Sequence, residues 1–319
     1  MGAGSRRSTQ CHHPIATLGV RMAQILDGTP VRAQILASLK PRIEGLRRPP
    51  GLAVLLVGHN PASEIYVRNK IKACAELGIY SELLTPPESI TTEELLETIE
   101  DLNRRADIDG ILVQVPLPAQ VDSRRVLEAV APDKDADGFH PLNVGHLVAG
   151  RPGPRACTPA GIIELLKYYR VGIEGRRAVV LGRSDIVGKP MAFMLLHENA
   201  TVTICHSRTS NLVEECRRAD ILVAAMGRPA LVTSEYIAPG ATVIDVGMNR
   251  ITDLVEATRL GKAAEFERKG TALVGDVNPV DVARVASAYT PVPRGVGPLT
   301  IAMLMANTVA LAERRACSA

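Results

Sequence analysis

The sequence predicts an α/β protein of two successive units, each built on a parallel sheet. Three observations lead there. Short aliphatic runs alternate with segments of helical spacing, the rhythm of strands joined by crossover helices. The chain has 319 residues, more than one domain usually takes. Between the two sets of alternating segments, residues 131–156 hold several Pro and Gly and little periodicity, as an inter-domain segment does.

The elements follow in order. Val31, Ile35, Leu36, Leu39, Ile43 and Leu46 recur at helical spacing. Residues 52–57 form a continuous aliphatic run ending at Gly58, as in a strand buried on both faces. A helix over 63–77 is closed by Gly78 at C′. Residues 79–84 give a second strand. Thr91-x-x-Glu94 is a capping box for a helix that turns Leu95, Leu96, Ile99 and Leu102 inward. Residues 110–115 are a third strand, stopped by Pro116 and Pro118. In the second unit Thr158-Pro159 reads as N-cap and N1 of a helix through about Tyr168. Strands are expected near 178–181, 201–205, 221–225, 242–246 and 272–274. A last helix after Gly297-Pro298 is placed to pack back on the first unit.

Composition narrows the class. The chain is 46% apolar and 22% charged, with no Trp and three Phe, so it lacks the aromatic platforms of base-stacking modules. A formal charge of +3 suggests neither a nucleic-acid nor a membrane partner. No apolar run reaches the roughly 20 residues of a membrane span. The nearest, 299–311, is broken by Thr300, Asn307 and Thr308 and reads as a buried helix. Six scattered cysteines show no metal spacing, which fits free thiols in a reducing, cytoplasmic compartment. Residues 1–21, with Cys11-His12-His13, carry Arg and Ser and no acid, and read as a disordered extension. They suit a weak transit peptide or, better, an upstream start misassigned ahead of Met22.

Four features carry chemistry. Tyr66 and Lys70 are four apart on the 63–77 helix and share a face. Lys is a side chain whose basicity a pocket can tune for proton transfer, and Tyr offers a ring for stacking. On spacing alone an ordinary surface helix accounts for the pair better. Gln114 ends the third strand, where open α/β sheets place their ligands, although a lone Gln there also serves as a loop residue. Asp133-Lys-Asp135-Ala-Asp137 is an acidic turn that solvated carboxylates would explain equally. Finally, the strand at 178–181 runs into Gly182-Arg183-Ser184-Asp-Ile-Val-Gly188, a strand, turn and helix suited to a dinucleotide pyrophosphate. Ser184 replaces the usual second Gly, so the turn alone is weak. At the end of the next strand stand His206-Ser207-Arg208-Thr209, with no acid for ribose hydroxyls. Arg183, Ser207 and Arg208 can instead meet a phosphate, so NADP is expected over NAD.

Taken together the segments resemble the bifunctional methylenetetrahydrofolate dehydrogenase/cyclohydrolase (FolD-type) family over about residues 22–316. The matching stretches are Val57-Gly-His-Asn-Pro-Ala-Ser63-Glu-Ile-Tyr66-Val-Arg-Asn-Lys70, Gly110-Ile-Leu-Val-Gln114-Val-Pro-Leu-Pro118 and Asp133-Lys-Asp-Ala-Asp137-Gly-Phe-His-Pro-Leu-Asn143-Val-Gly145. Cys157-Thr-Pro159, the 182–190 turn, Ile244-Asp-Val-Gly247-Met-Asn249, Gly275-Asp276-Val-Asn-Pro279 and Thr290-Pro-Val-Pro293 continue the series in the family's order.

The resemblance implies a folate-binding domain over 22–156 with 291–319, and a Rossmann-type NADP-binding domain over 157–290, with the catalytic cleft between them. It implies NADP-dependent oxidation of 5,10-methylenetetrahydrofolate and hydrolysis of the methenyl product to 10-formyltetrahydrofolate. It also implies a homodimer. By the same resemblance Lys70 is catalytic, Gln114 orients it, Tyr66 stacks on the folate ring system and Asp137 holds the pterin's donor edge. Ser63, Pro293 and Gly295 fall to the substrate, and Gly182, Ser184, Ser207 and Met248 to the cofactor. One departure stands out: the family's Pro-Gly-Gly-Val-Gly-Pro is Pro293-Arg294-Gly295-Val296-Gly297-Pro298 here. Arg294 would strain the backbone if its φ is positive, or reach the folate cleft if φ is negative. A short-chain dehydrogenase also pairs Tyr and Lys four apart, but after its dinucleotide turn, whereas Lys70 precedes Gly182.

Overall fold

A computed structural model describes residues 23–318. The readings made for residues 1–21 lie outside these residues. The first unit runs β1 (Gln24–Ile25), α1 (Gly28–Glu44), β2 (Gly51–Leu55), α2 (Pro61–Leu77), β3 (Tyr80–Leu84), α3 (Thr92–Arg104), β4 (Gly110–Val113), α4 (Ser123–Ala129) and α5 (Pro141–Val148). The second runs α6 (Cys157–Tyr168), β5 (Arg177–Leu181), α7 (Gly188–His197), β6 (Thr201–Cys205), α8 (Leu212–Cys216), β7 (Ile221–Ala224), β8 (Thr242–Asp245), β9 (Asn249–Ile251), α9 (Leu254–Arg259), α10 (Ala263–Lys269), β10 (Ala272–Val274), α11 (Pro279–Val285) and β11 (Ala288–Tyr289). Helix α12 (Gly297–Ser318) closes the chain.

The first sheet has the order β3-β2-β4, all parallel, with Leu52 opposite both Ser81 and Gly110. Strand β2 is buried on both faces, which is why its sequence does not alternate polar and apolar. Leu52 and Val54 face a core made with Leu36, Leu39, Val67 and Cys74, while Ala53 and Leu55 face Leu95, Ile99 and Val126. The capping box forms as read: Thr91 Oγ1 accepts from the Glu94 amide at 3.2 Å and Glu94 Oε2 from the Thr91 amide at 2.8 Å.

The second sheet is six-stranded and parallel throughout, in the order β1-β11-β8-β7-β5-β6. Helices α6 and α7 cover one face through Ile162, Leu166, Met191 and Leu195. Cys216, Ile237 and Val282 cover the other, against Val179, Leu222 and Val243.

Three details differ from the sequence expectations. Strand β1 falls in the stretch expected to belong to the first unit, but Gln24 pairs with Ala288 and extends the second sheet. A two-residue strand carries no periodicity from which to place it. Residues 272–274 form a strand, but it pairs antiparallel with β9 in a separate ribbon and not in the parallel sheet. Thr158 is not the N-cap. Helix α6 starts at Cys157 after Ala156, with no side-chain cap, and the Thr158 hydroxyl bonds Thr300 Oγ1 at 2.9 Å instead.

That bond belongs to a larger contact. Helix α12 enters the second core at Leu299 and the first at Leu304, Met305, Val309 and Leu311, so one helix pins both units. A Cβ at Gly161 would lie 2.6 Å from the Leu299 Cβ, so the crossing of α6 and α12 needs a glycine. Buried Asn307 completes the joint, donating to the carbonyls of Ala136 (2.8 Å) and Arg155 (2.9 Å).

Candidate active site between the two domains

Tyr66 and Lys70 stand one turn apart on α2, on the wall of a cavity of about 340 Å³. Gln114 enters from the C-terminal end of β4. Its amide nitrogen donates to its neighbour's carbonyl, Val115 O, at 2.7 Å, which turns the amide oxygen toward Lys70. Lys70 Nζ donates to that oxygen at 2.9 Å. An ammonium held by a neutral acceptor keeps two further donor positions for a ligand.

Asp137 lies between α4 and α5, partly exposed and within electrostatic reach of Lys70, so a ligand seated against Lys70 can reach it although it is not part of the cavity wall. Burial pushes its carboxyl up to about 6, against the pull of Lys70 and with Asp135 adding to the rise. Asp135 is committed to structure: its carboxylate accepts from the amides of Gly138, Phe139 and His140 and from Asn143 Nδ2. Ser63 is buried one turn before Tyr66 and likewise lies outside the cavity wall.

The facing wall comes from the second domain and from the loop before α12. It holds Asp245, Met248, Pro293, Gly295 and Ile186, so Pro293 and Gly295 are brought to Tyr66, Lys70 and Gln114. The Tyr66 hydroxyl reaches across to Met248 Sδ. Burial raises the Tyr66 phenol, so it remains a neutral donor. Met248, which the resemblance gives to the cofactor, thus touches the residue it gives to folate.

Gly182 opens the dinucleotide turn at φ 138°, a region closed to L side chains, and a Cβ there would lie 2.2 Å from Ala225 O. Ser184, where a second Gly was missing, braces the turn that leads into α7: its Oγ accepts from the Val187 and Gly188 amides at 3.2 Å each. Ile186, from the same turn, lines the cavity, so the turn and the Lys70 group share one cleft. Arg183, Ser207 and Arg208 are exposed, and neither guanidinium joins an ion pair among the described residues. These groups fit a phosphorylated dinucleotide: a glycine cradle, a helix N-terminus and two uncommitted cations.

Arg294 has φ 86°, the strained alternative. Arg294 is among the residues that line the cavity; its side chain pairs with Asp27, the N-cap of α1, and its carbonyl accepts from Gly28 N at 2.8 Å. The backbone cost is about 1–2 kcal/mol. A guanidinium 70% exposed returns at most about 1 kcal/mol from its ion pair. The Gly28 contact does not depend on the side chain.

Two buried carboxylates were not assigned a role from sequence. Asp276 accepts from the amides of Met226, Gly227 and Arg228 (2.5–2.9 Å) and from Asn249 Nδ2 (3.0 Å). Asp245 accepts from the amides of Gly247, Asp276 and Val277 (2.8–3.0 Å). Burial pushes Asp245 up to about 7 against the pull of those amides. Together they fix the loops after β7 and β8, including the one that presents Met248. The signal was in the motifs: a Cβ at Gly247 would collide with Asp276, and one at Gly275 with Asp245. Each glycine makes room for the other motif's carboxylate.

Residues 26–137 match the catalytic domain of the tetrahydrofolate dehydrogenase/cyclohydrolase family and residues 156–316 its NAD(P)-binding domain. The chain belongs to this family. It is 65% identical to the bifunctional protein FolD of Solibacter usitatus, over 92% of this chain and 99% of that protein. To that of Koribacter versatilis it is 58% identical, over 92% and 98%. Among solved structures, the bifunctional FolD dehydrogenase/cyclohydrolase of Campylobacter jejuni superposes with a TM-score of 0.84 at 43% identity, covering 92% of this chain and 99% of that one. The Trypanosoma brucei FolD, solved with NADP cofactor and an inhibitor, gives 0.83 at 37% identity, covering 92% and 98%. Family membership extends to both halves of the cleft.

Proposed function

We propose that this cleft oxidises 5,10-methylenetetrahydrofolate with NADP and hydrolyses the resulting 5,10-methenyltetrahydrofolate to 10-formyltetrahydrofolate. The observation that carries the reading is Lys70 Nζ, held at 2.9 Å by Gln114 beside Tyr66, on the same cavity that receives Ile186 from the dinucleotide turn. Bound NADP supplies the hydride acceptor. The chain's part in that step is placement, since a delocalised product cation needs no acid group. Tyr66 provides the platform for the folate ring system. The helix N-terminus at Gly188 takes the pyrophosphate, and Arg183 and Arg208 take the ribose phosphate.

Hydrolysis asks more of side chains. Water adds to the methenyl carbon and gives up both of its protons as the carbinol becomes the formyl group; a ring C–N bond breaks, the freed nitrogen takes up one proton and the other passes to solvent. Lys70 is the group placed to move these protons, with Gln114 setting its direction. Asp137 in its ionised form accepts from the pterin's paired donors.

One spectrophotometric assay tests the reading. With methylenetetrahydrofolate and NADP the methenyl absorbance should appear, and added methenyl substrate should decay faster than in buffer. Acceleration of neither step sinks it. Equal rates with NAD would remove the argument from Ser207 and Arg208.

The carboxyl of Asp137 predicts a pH dependence. Its ordinary value near 3.8 is pushed up to about 6, so it is ionised above pH 6 and protonates as pH falls through 6. The KM for methenyl substrate should therefore rise below pH 6, and Asp137→Asn should flatten that rise. An unchanged profile in the variant removes Asp137 from substrate binding.

The same reading includes a homodimer in the cytoplasm. Strand β6 leaves one edge of the second sheet open, with Thr203 and Ile204 exposed, the kind of edge a second copy can cover. Light scattering should give twice the 34.1 kDa chain mass, and a monomer would refute the dimer. No helix among the described residues is long and apolar enough to cross a membrane, and the cysteines among them are free. Cell fractionation checks the compartment.

A further inference from the structure

Strands β9 and β10 form an antiparallel ribbon, yet no tight turn joins them. Such ribbons usually close in about two to five residues. Here residues 252–271 make an excursion that holds α9 and α10. The excursion has a small core of its own: Ala257, Leu260 and Phe266 pack on Ile251, Val274 and Ala230. At the bend between its helices Gly261 takes φ 69°, and the backbone of Lys262 is fixed. The Lys262 amide donates to Ala257 O at 2.7 Å, and its carbonyl accepts from the Phe266 amide at 3.0 Å.

The Lys262 side chain leaves the excursion. It is half-buried, and its Nζ donates to the carbonyl of Val292 at 2.8 Å. It lines a cavity of about 30 Å³ that lies behind the catalytic one. The two cavities share Asp245, Pro291 and Val292, whereas Lys262 lines only the rear one. An ammonium therefore grips the back of a wall whose other side lines the Lys70 cavity.

The composition of the loop makes this grip consequential. In Thr290-Pro291-Val292-Pro293 two of the four residues have no amide N–H, so the loop is held largely by its carbonyls. Pro291 O accepts from Gly295 N within the loop and Arg294 O from Gly28 N, both at 2.8 Å. Val292 O, midway, takes no backbone donor among the described residues. Lys262 supplies its donor, and a bond from an ammonium is stronger than one between neutral groups. Next in the chain come Pro293, on the catalytic wall, and Arg294, strained at φ 86°. A strained loop with few donors keeps one shape only when its surroundings hold it.

Building on the proposed function, we propose that Lys262 is a positioning residue for the folate substrate: the α9–α10 excursion delivers it to Val292 O, and it sets the loop that presents Pro293 and Gly295. It touches no reacting atom. Its loss weakens folate binding without slowing bound substrate, and by the same factor in both reactions, because one loop serves both.

The test is Lys262→Met, which keeps an unbranched stem and removes the donor. The KM for methylenetetrahydrofolate in the oxidation and for methenyltetrahydrofolate in the hydrolysis should each rise about three- to tenfold, with kcat within about twofold of the parent. Lys262→Arg, which restores a donor, should recover most of that rise. Lys269→Met, on the same excursion but paired with Glu265 at 3.1 Å, should leave both KM values at the parent level. A merely structural role would lower kcat through lost folded enzyme and leave KM alone. An unchanged KM in Lys262→Met therefore overturns the inference, as does a fall in kcat at constant KM. So does failure of Lys262→Arg to recover the KM, or an equal rise in Lys269→Met. Should Lys262→Met fail to fold, Lys262→Gln carries the same comparison. A parent protein that turns over neither folate would instead sink the proposed function, so the two failures are distinct.

Discussion

Lys70→Met should reduce methenyltetrahydrofolate hydrolysis to the rate in buffer, while methylenetetrahydrofolate oxidation should stay measurable. The asymmetry follows from what each step demands. A positioned proton-transfer group contributes about 10²–10⁴-fold, and hydrolysis involves both the protons lost by water and the one gained by the leaving nitrogen. Hydride transfer uses none of this and depends on how two rings are placed. Met keeps the unbranched stem of Lys, so the packing of α2 against α12 is preserved. Among the described residues the one side-chain hydrogen bond lost is that to Gln114 Oε1, at 2.9 Å in a partly buried position. A thermal midpoint within a few degrees of the parent is therefore expected, with both activities read on the same preparation. Hydrolysis at the parent rate would remove Lys70 from the reaction. Loss of both activities with an intact fold would mean that Lys70 binds substrate and does not serve the hydrolytic step alone.

How much of this could be read from the chain depends on the range over which each signal acts. The strand at β2 was legible because burial on both faces leaves an unbroken aliphatic run, and the Thr91–Glu94 box because both its bonds close within one turn. Tyr66 and Lys70 were legible as a face of α2, since spacing within a helix fixes direction. The contact of Tyr66 with Met248 was not, because it joins positions on different domains whose approach is set by α12. The Thr158 reading failed for a related reason. Thr-Pro is a good local start signal, but a hydroxyl from α12, Thr300, lies within reach, and the tertiary bond displaces the local one. Strand β1 was too short for any pattern. Asp245 and Asp276 lay inside quoted motifs, yet their role emerges only when two loops are brought together, each carboxylate filling the space the other's glycine leaves. Arg294 shows the limit from the other side. The sequence posed two alternatives, and only the backbone angle chose between them.

Gly182→Ala should abolish tight NADP binding and destabilise the second domain, whereas Gly78→Ala, chemically the same change, should do little. Both glycines have positive φ, 138° and 70°. At Gly78 nothing lies within 4 Å of the added Cβ, and 70° is the left-handed region that a non-glycine residue can occupy at a cost of about 1–2 kcal/mol. At Gly182 backbone strain and a steric clash act together. An angle of 138° is essentially closed to L residues, and the new Cβ would lie 2.2 Å from Ala225 O and 2.9 Å from Ala225 C. Neither atom belongs to a flexible side chain. Ala225 is held by its own amide to Leu181 O at 2.8 Å, at the end of the central strands, so the turn must give way or the strands must part. Either movement also disturbs Gly188, whose Cα packs so near Gly182 O that a Cβ there would be 2.3 Å away. The helix N-terminus would then leave the position it needs for the pyrophosphate. The expected loss is more than about 3 kcal/mol of stability, or a rearranged turn with cofactor affinity down by more than about tenfold. Denaturant midpoints and fluorescence titration with NADPH, run on both variants, separate the outcomes. Equal small losses at the two glycines would show that the turn tolerates a side chain and that its close approach to β7 is not what shapes the cofactor site.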